Sequence, residues 1–346
     1  MSTGAPKADT VVLTGAGFSV SAGLPTADQL VARGRQRLCA DVLEALDALA
    51  SQVLEEPISK EVEVALTRLR VLELYSKKFD YMTQLLPLEL GIYYLVWAPL
   101  RLENEPPTLY DTFIEKLGNG ANVAFATLNY DLLLESIFRR RQLTWHYALQ
   151  GEANSENELR YRDALYAPFG QEALSIPYLK LHGSFNWHYC WRCDYFRIVP
   201  EEWYGVSTFH LPRAGRDPLR VASRGTLACI RCPQASGQAA LKPLIIPPSR
   251  LKEYTRAPVR RLWAFFDVLL ARAKRLIIVG TSLRDEDVLL VNCLGYLQLK
   301  NSSLSEVVVV DPSGESRRRA ETLTGLSARW YLTLADFNEQ YMDDVV

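Results

Sequence analysis

The feature that most constrains this chain is a repeated juncture: a short apolar run ends in a glycine or small polar turn, and a helical pattern follows. Val11 to Leu13, with Thr14, runs directly into Gly15-Ala16-Gly17. Asn122 to Leu128 ends at Asn129-Tyr130-Asp131 and leads into a helix over Leu132 to Arg140. Pro177 to Leu181 ends at His182-Gly183, and Arg275 to Val279 ends at Gly280-Thr281-Ser282. Glu306 to Val310 ends at Asp311 and reads as the final strand. Strands covered on both faces give such unbroken apolar runs, and their alternation with helices predicts an α/β fold, a Rossmann-like doubly wound parallel sheet. Ligands of that architecture bind outside the carboxyl ends of the strands. Every polar motif discussed below, apart from the paired cysteines, stands at such an end.

Two stretches interrupt the alternation. Between Leu30 and about Leu74 apolar residues recur at helical spacing, at Leu43, Leu46, Leu49 and Val53 and again at Val62, Leu66, Leu69 and Leu72. Pro57 divides this stretch into two helices. Further helical patterns lie around Tyr81 to Trp97 and Leu109 to Leu117, so residues 30–117 read as a helical insertion. Residues 184–241 are aromatic, Arg-rich and broken by two CxxC pairs, and read as a small module with candidate strands at Phe196 to Val199 and Ser207 to Leu211. Leu244 to Ile246 resumes a strand, and Val259 to Ala273 is an amphipathic helix. The whole of 1–346 is thus expected to be one domain: a Rossmann-like core carrying two additions.

Composition narrows the partners. The 39 basic and 40 acidic residues give a formal net charge of -1, so no global field favours nucleic acid or a membrane surface. A small molecule or a protein is the expected substrate. Met1 to Thr10 lacks the basic start, apolar stretch and cleavage site of a signal peptide. The most apolar run, Gly91 to Leu100, is too short to span a bilayer and reads as a buried helix end. A cytoplasmic location is the expectation. In a reducing compartment the pairs Cys190/Cys193 and Cys229/Cys232 indicate metal rather than disulfides, and four thiolates make a closed tetrahedral site for structural Zn²⁺. His188 is near enough to Cys190 to be a minor rival ligand, whereas Cys39 and Cys293 read as small buried apolar residues.

The strand ends carry the remaining chemistry. Gly15, Ala16, Gly17 and Ser19 form a strand-to-helix turn of the kind that lets backbone N–H groups approach a diphosphate, or that simply makes a tight turn. Asn129 suits contact with a ribose or a water, and Asp131 suits either that role or a helix cap. His182 is the one histidine followed by glycine and then by a CxxC pair. Gly280, Thr281 and Ser282 make a second glycine turn with hydroxyls. Asp311, before Pro312, either bonds ribose hydroxyls and disfavours a 2′-phosphate or ends its strand in a turn.

Taken in order, the strings resemble sirtuin motifs. GAGFSVSAGLPT is similar to the first NAD-binding motif, GAGxSxxSGIPDFR. TLNYD is similar to TQNxD, LKLHGSF to the catalytic HG motif that precedes the zinc cysteines, and GTSL to the motif of the same letters. The resemblance spans Gly15 to about Asp311. It implies NAD as a consumed substrate, His182 and Asn129 as catalytic residues, and Gly15, Ala16, Gly17, Ser19, Asn129, Asp131, Gly280, Thr281, Ser282 and Asp311 as the NAD site. It also implies structural zinc on Cys190, Cys193, Cys229 and Cys232.

Three departures bear on activity. Sirtuin deacylases continue Asp-Phe-Arg where this chain has Thr26-Ala27-Asp28. Their peptide-pairing strand RPxVVxFGE becomes LKPLIIPPSR, in which Pro247 and Pro248 cannot donate to an added strand. Their peptide-clamping loop GTSLxVxP becomes charged at Arg284-Asp285-Glu286-Asp287, with a helical character expected there. A cofactor half kept beside an altered peptide half resembles the sirtuin-like NAD hydrolases of prokaryotic anti-phage defence more than the deacylases. The rival readings are an NAD-dependent protein deacylase and a non-catalytic NAD or ADP-ribose sensor. A hydrolase of this kind implies restraint by a homo-oligomer, a regulatory partner protein or a trigger, with the helical insertion as the natural contact surface.

Overall fold

The computed structural model describes residues 8–38, 40–58, 62–76, 84–118, 122–149, 175–190, 195–198, 229, 241–246, 252, 254 and 257–341. In chain order the elements begin with β1 (Thr10–Thr14) and α1 (Ala16–Ser19), followed by α2 (Leu30–Arg37), α3 (Ala40–Leu54), α4 (Val62–Tyr75) and α5 (Leu86–Trp97). Next come α6 (Leu109–Lys116), β2 (Val123–Thr127), α7 (Leu133–Arg140), β3 (Trp145–His146), β4 (Ile176–Lys180), β5 (Gly183–Cys190), β6 (Phe196–Ile198) and β7 (Leu241–Ile245). The chain closes through α8 (Ala257–Leu270), β8 (Arg275–Val279), α9 (Val288–Gly295), α10 (Leu297–Lys300), β9 (Glu306–Val310), α11 (Gly314–Thr324), β10 (Ala328–Tyr331) and α12 (Leu334–Gln340).

Two compact units divide these elements: residues 1–24, 102–182 and 254–346 form the first, and residues 25–101 and 183–253 the second. The first is built on a seven-stranded sheet in the order β10-β9-β8-β1-β2-β4-β3, with every pairing parallel. Leaving out the two-residue edge strand β3, the order is that of a Rossmann sheet. The chain winds from β1 outward through β2 and β4, then returns to β8 on the opposite side of β1 and winds outward again. The topological switch point therefore lies between β1 and β8. Val11, Val12 and Leu13, Phe125, and Ile277 and Ile278 are wholly inaccessible, as expected of central strands with helices on both faces.

At the switch point two glycine turns interlock. Gly15 N donates to Val279 O at 2.9 Å, and Gly17 N donates to Gly280 O at 2.8 Å. A methyl group on Gly17 would come 2.7 Å from Gly280 Cα, and one on Gly15 would come 2.6 Å from Thr281 Cβ. Gly280 adopts φ 62°, and a Cβ there would meet Phe18 N at 2.1 Å. These glycines are required by backbone-on-backbone packing before any ligand is considered.

In the second unit, α2 to α5 pack on one another. Gly34 of α2 lies so close to α5 that a Cβ would meet Leu95 O at 2.0 Å, and Arg35 pairs with Asp47 of α3. Leu46, Ala50, Leu88, Ile92 and Leu95 are fully buried among these helices. Pro57 does separate α3 from α4, but the stretch before it is two helices, α2 and α3, broken near Leu38. A three-stranded antiparallel sheet in the order β6-β5-β7 completes the unit, with a register shift between Ser184 and His188. The strand expected at 207–211 lies outside the described residues. The helix α6 groups with the first unit, where Phe113 packs on Phe337 of α12.

Two elements of the parallel sheet differ from the sequence reading. β3 was not expected, and β9 is not the last strand, because β10 pairs alongside it from Ala328↔Val307 to Tyr331↔Val310. Among the described residues no helix is long and apolar enough to cross a membrane.

The interlock gives the first prediction. Gly280→Ala should lower stability by about 2–4 kcal/mol, combining left-handed backbone strain with overpacking against Phe18 N. Gly314→Ala, where an added Cβ meets nothing within 4 Å at a helical position, should be neutral or slightly stabilising. Paired urea denaturation curves compare the two.

Candidate functional site

Strand register sets the site. Thr14 lies level with Thr127 on one side and Val279 on the other, Thr127 lies level with Lys180, and Val279 with Val310. One or two residues beyond that common level come Gly15, Asn129, His182, Gly280 and Asp311. The motif residues of five separate strands thus meet along one carboxyl edge.

The β2 and β1 turns are stitched together by side chains. Asn129 Nδ2 donates to Gly15 O at 2.9 Å and to Ser19 Oγ at 3.0 Å, while Asn129 N donates to Thr127 Oγ1 at 3.0 Å. Ser19 Oγ donates to Asp131 Oδ2 at 2.9 Å, and Leu133 N donates to Asp131 Oδ1 at 3.0 Å. Asp131 therefore braces the glycine turn and satisfies the start of α7 with its two oxygens. Burial raises its carboxyl above the usual range, against the opposing pull of Lys180, the Leu133 N–H and Ser19. Ser19 and Asp131 are buried, and Asn129 is partly exposed.

Beneath the turn lies a charge network that the sequence reading passed over. Lys180, at 0% side-chain exposure, donates to Asp131 O and to Glu135 Oε1, the latter at 2.9 Å. Tyr147 OH donates to Glu135 Oε1 at 2.8 Å and Tyr178 OH to Glu135 Oε2 at 3.2 Å. A buried lysine is tolerated because each partner is itself hydrogen-bonded.

His182 is buried at the end of β4. Its ring is bordered by Tyr130, Tyr254 and Trp263, with centroids 6.4, 6.4 and 6.2 Å away. Trp263 Nε1 donates to Leu181 O at 2.9 Å, fixing both the wall and the strand end. His182 Nε2 lies 3.3 Å from Asp287 Oδ1. The stretch carrying Asp287 is not helical: Asp287 N donates to Arg284 O at 3.0 Å in a turn, and α9 begins only at Val288. Asp287 is a residue the sequence reading did not assign.

The remaining residues differ in what they offer. Thr281 is buried and Ser282 exposed, with Arg284 Nε donating to Ser282 Oγ at 3.3 Å. Ala16 is half-buried and Gly17 exposed. Asp311 Oδ1 accepts from Ser313 N at 2.8 Å and Ser316 Oγ at 3.1 Å, so the turn role is filled. Cys190 and Cys229 are buried in one cluster with Tyr195 and Leu241, and Cys190 N donates to Tyr195 O at 2.7 Å. Cys193 and Cys232 lie outside the described residues. His188 is buried on β5, and His146 is packed on β3 with Nδ1 2.9 Å from Ser175 Oγ and its basicity lowered by burial.

A doubly wound parallel sheet with polar motifs gathered at its switch point defines a Rossmann-like α/β protein. The model of the SIR2-like domain family matches residues 123–331, more than half of the chain, and the chain belongs to that family, within the sirtuin superfamily. Among solved structures, one described as showing the structural basis for sirtuin substrate affinity is 16% identical, with 96% of this chain and 90% of that chain covered and a TM-score of 0.42. A Sir2 complex with the inhibitor EX-527, 2′-O-acetyl-ADP-ribose and deacetylated p53 peptide is 15% identical, with 96% and 91% covered and a TM-score of 0.42. A Sir2–p53 peptide–NAD⁺ structure is 16% identical, with 96% and 90% covered and the same TM-score of 0.42. No curated protein sequence matches the chain.

The buried ion pair yields a second prediction. Lys180→Met leaves Glu135 charged and unpaired in the interior and should cost about 3–5 kcal/mol. Adding Glu135→Gln should recover a substantial part of that loss, because the amide removes the unpaired charge while its oxygen still accepts from one tyrosine hydroxyl and its NH2 can donate to the other. A denaturant double-mutant cycle measures the recovery.

Proposed function

We propose that the protein consumes NAD, cleaving the nicotinamide–ribose bond by hydrolysis to give nicotinamide and ADP-ribose. The observation that carries this reading is the meeting of Gly15, Asn129, His182, Gly280 and Asp311 at one sheet edge, in a chain of the SIR2-like family. The Gly15–Ser19 turn, with Gly280, Thr281 and Ser282, would hold the diphosphate, and Asp131 would keep Ser19 and α7 in place around it. Asn129, whose amide nitrogen is committed to Gly15 and Ser19, has its carbonyl oxygen to offer a ribose hydroxyl or a water. His182 would act as general base. In that step water forms a bond to the ribose C1′, the C1′–N bond breaks with its electron pair neutralising the nicotinamide ring, and the water proton passes to His182. Asp311 would bond the adenosine ribose and disfavour a 2′-phosphate.

Hydrolysis rather than deacylation is favoured by Pro247 and Pro248 and by the charged Arg284–Asp287 turn, where the sequence departs from the two deacylase motifs that engage a peptide. The setting proposed is prokaryotic anti-phage defence in the cytoplasm, with activity restrained by a homo-oligomer or a regulatory partner until triggered. On this reading nicotinamide release needs no acylated peptide, and His182→Ala or Asn129→Ala lowers turnover by roughly 10²-fold or more. Chromatographic quantification of nicotinamide, ADP-ribose and peptide product tests it. Nicotinamide released only with acylated peptide, one for one with deacylated product, would restore the deacylase reading. ADP-ribose binding without turnover under any condition would favour the sensor.

We infer also one structural zinc per chain on Cys190, Cys193, Cys229 and Cys232. Support comes from Cys190 and Cys229, which are remote in sequence yet share one buried cluster. Four thiolates would leave the metal no open position, so it would hold the small sheet together and take no part in the reaction. Elemental analysis should find one zinc per chain. Cys190→Ser should lose it and lower the melting temperature, and a wild-type protein without stoichiometric metal overturns the assignment.

A further inference from the structure

Asp287 occupies the N-cap position of α9, where an aspartate ordinarily accepts a hydrogen bond from the first turn of its helix. Here its side chain makes no cap bond, with φ -87° and ψ 60°. The carboxylate instead lies beside His182, with Oδ1 3.3 Å from Nε2, an ion-pair distance rather than a hydrogen-bond alignment. Both side chains are largely withdrawn from water, at 7% and 13% exposure, where an opposite charge acts with little screening.

The turn that carries Asp287 is held from outside. Arg319 of α11 donates to Leu283 O at 2.7 Å and to Asp285 Oδ2 at 2.8 Å. Leu283 itself sits at φ 50°, a left-handed conformation uncommon for leucine, and is buried. An anchored turn and an unused cap are a costly way to place a surface aspartate, and a reasonable way to aim one. Sites where strain is retained in this manner are often functional.

We propose that Asp287 is the positioning residue for His182: its carboxylate, at ion-pair distance, favours the protonated ring and so strengthens His182 as the base. The arrangement is that of an acid–histidine pair in which the carboxylate stabilises the imidazolium formed on proton uptake. The role of the strengthened base rests on the hydrolase reading above, whereas the pair itself does not. Among the described residues, Tyr130 and Tyr254 are the other titratable groups whose rings border it. Among the described residues the buried Tyr254 hydroxyl has no hydrogen-bond partner, and burial together with the nearby Asp287 charge holds it protonated. Asp287 is therefore the anionic partner among these groups.

The test uses two readouts. In the full-length protein labelled at histidine, the imidazole of His182, assigned by its loss in His182→Ala, is titrated by NMR. Asp287→Asn should lower its pKa by about one unit or more, since an opposite charge at this distance favours the protonated ring. Glu286→Gln, which removes the same charge from the same turn, should leave it in place, and Asp287→Glu should restore most of the shift. An unchanged titration in Asp287→Asn overturns the proposal, whatever the enzyme does. If NAD is hydrolysed, Asp287→Asn should also lower kcat by roughly 10–100-fold and move the acid limb of the pH–rate profile to lower pH. A lower rate with an unmoved acid limb would reduce Asp287 to a packing role. Failure of any NAD turnover with the titration shift intact would overturn the hydrolase reading and leave the pair standing.

Discussion

The structure depends first on the contact between two glycine turns. Gly15 and Gly17 donate their amides to Val279 and Gly280, and no side chain larger than hydrogen fits where they cross. That contact fixes the end of β1 against the end of β8 at the only place in a doubly wound sheet where neighbouring strands lead away in opposite directions. A crevice at the switch point follows from topology. Its floor, made of backbone amides and carbonyls brought unusually close, follows from three glycines. The same absence of Cβ atoms that closes the packing also leaves Gly17 exposed, so tight packing and access for a ligand come from one choice of residue.

On the other side of β1 the connection is made by side chains, and its length matters. From Gly15 O the bonds run through Asn129 and Ser19 to Asp131, then through Lys180 to Glu135 and two tyrosine hydroxyls. Each member is satisfied by the next, which is the condition under which buried polar groups rigidify rather than destabilise. The edge residues Asn129 and His182, the first partly exposed and the second buried, are thus borne on strand ends locked from beneath. Lys180 is two residues before His182 and on a strand paired with the one carrying Asn129, so the network fixes both at once.

How much of this the sequence disclosed follows from burial. Central parallel strands appear as unbroken apolar runs, so β1, β2, β4, β8 and β9 were legible together with the turns that end them. β10 was not, because an edge strand with Arg329 and Trp330 exposed offers no such run, and β3 is only two residues long. The break between α2 and α3 escaped notice because an apolar periodicity continues across it. Lys180 and Glu135 escaped for a different reason: charge in a sequence reads as surface, and only the fold reveals that the two neutralise each other inside. Asp131 was legible as either a cap or a site residue, and the structure gives it both a helix start and the serine of the glycine turn.

Asp287 marks the limit of reading by resemblance. Compared with the deacylase loop, Arg284 to Asp287 is a loss, four charged residues where a peptide clamp belongs. Placed in space, the same residues form an anchored turn whose last carboxylate reaches the histidine at the end of another strand. A deacylase needs its histidine to act on a substrate whose acyl group supplies the nucleophilic oxygen. A hydrolase must draw the proton from water, a weaker acid-base partner that rewards a stronger base. A carboxylate beside the imidazole supplies that strength, and the charged turn places one 3.3 Å from the His182 ring nitrogen. On the proposed hydrolase reading, the short turn that departs from the deacylase motif is also the one that supplies the acid of the acid–histidine pair.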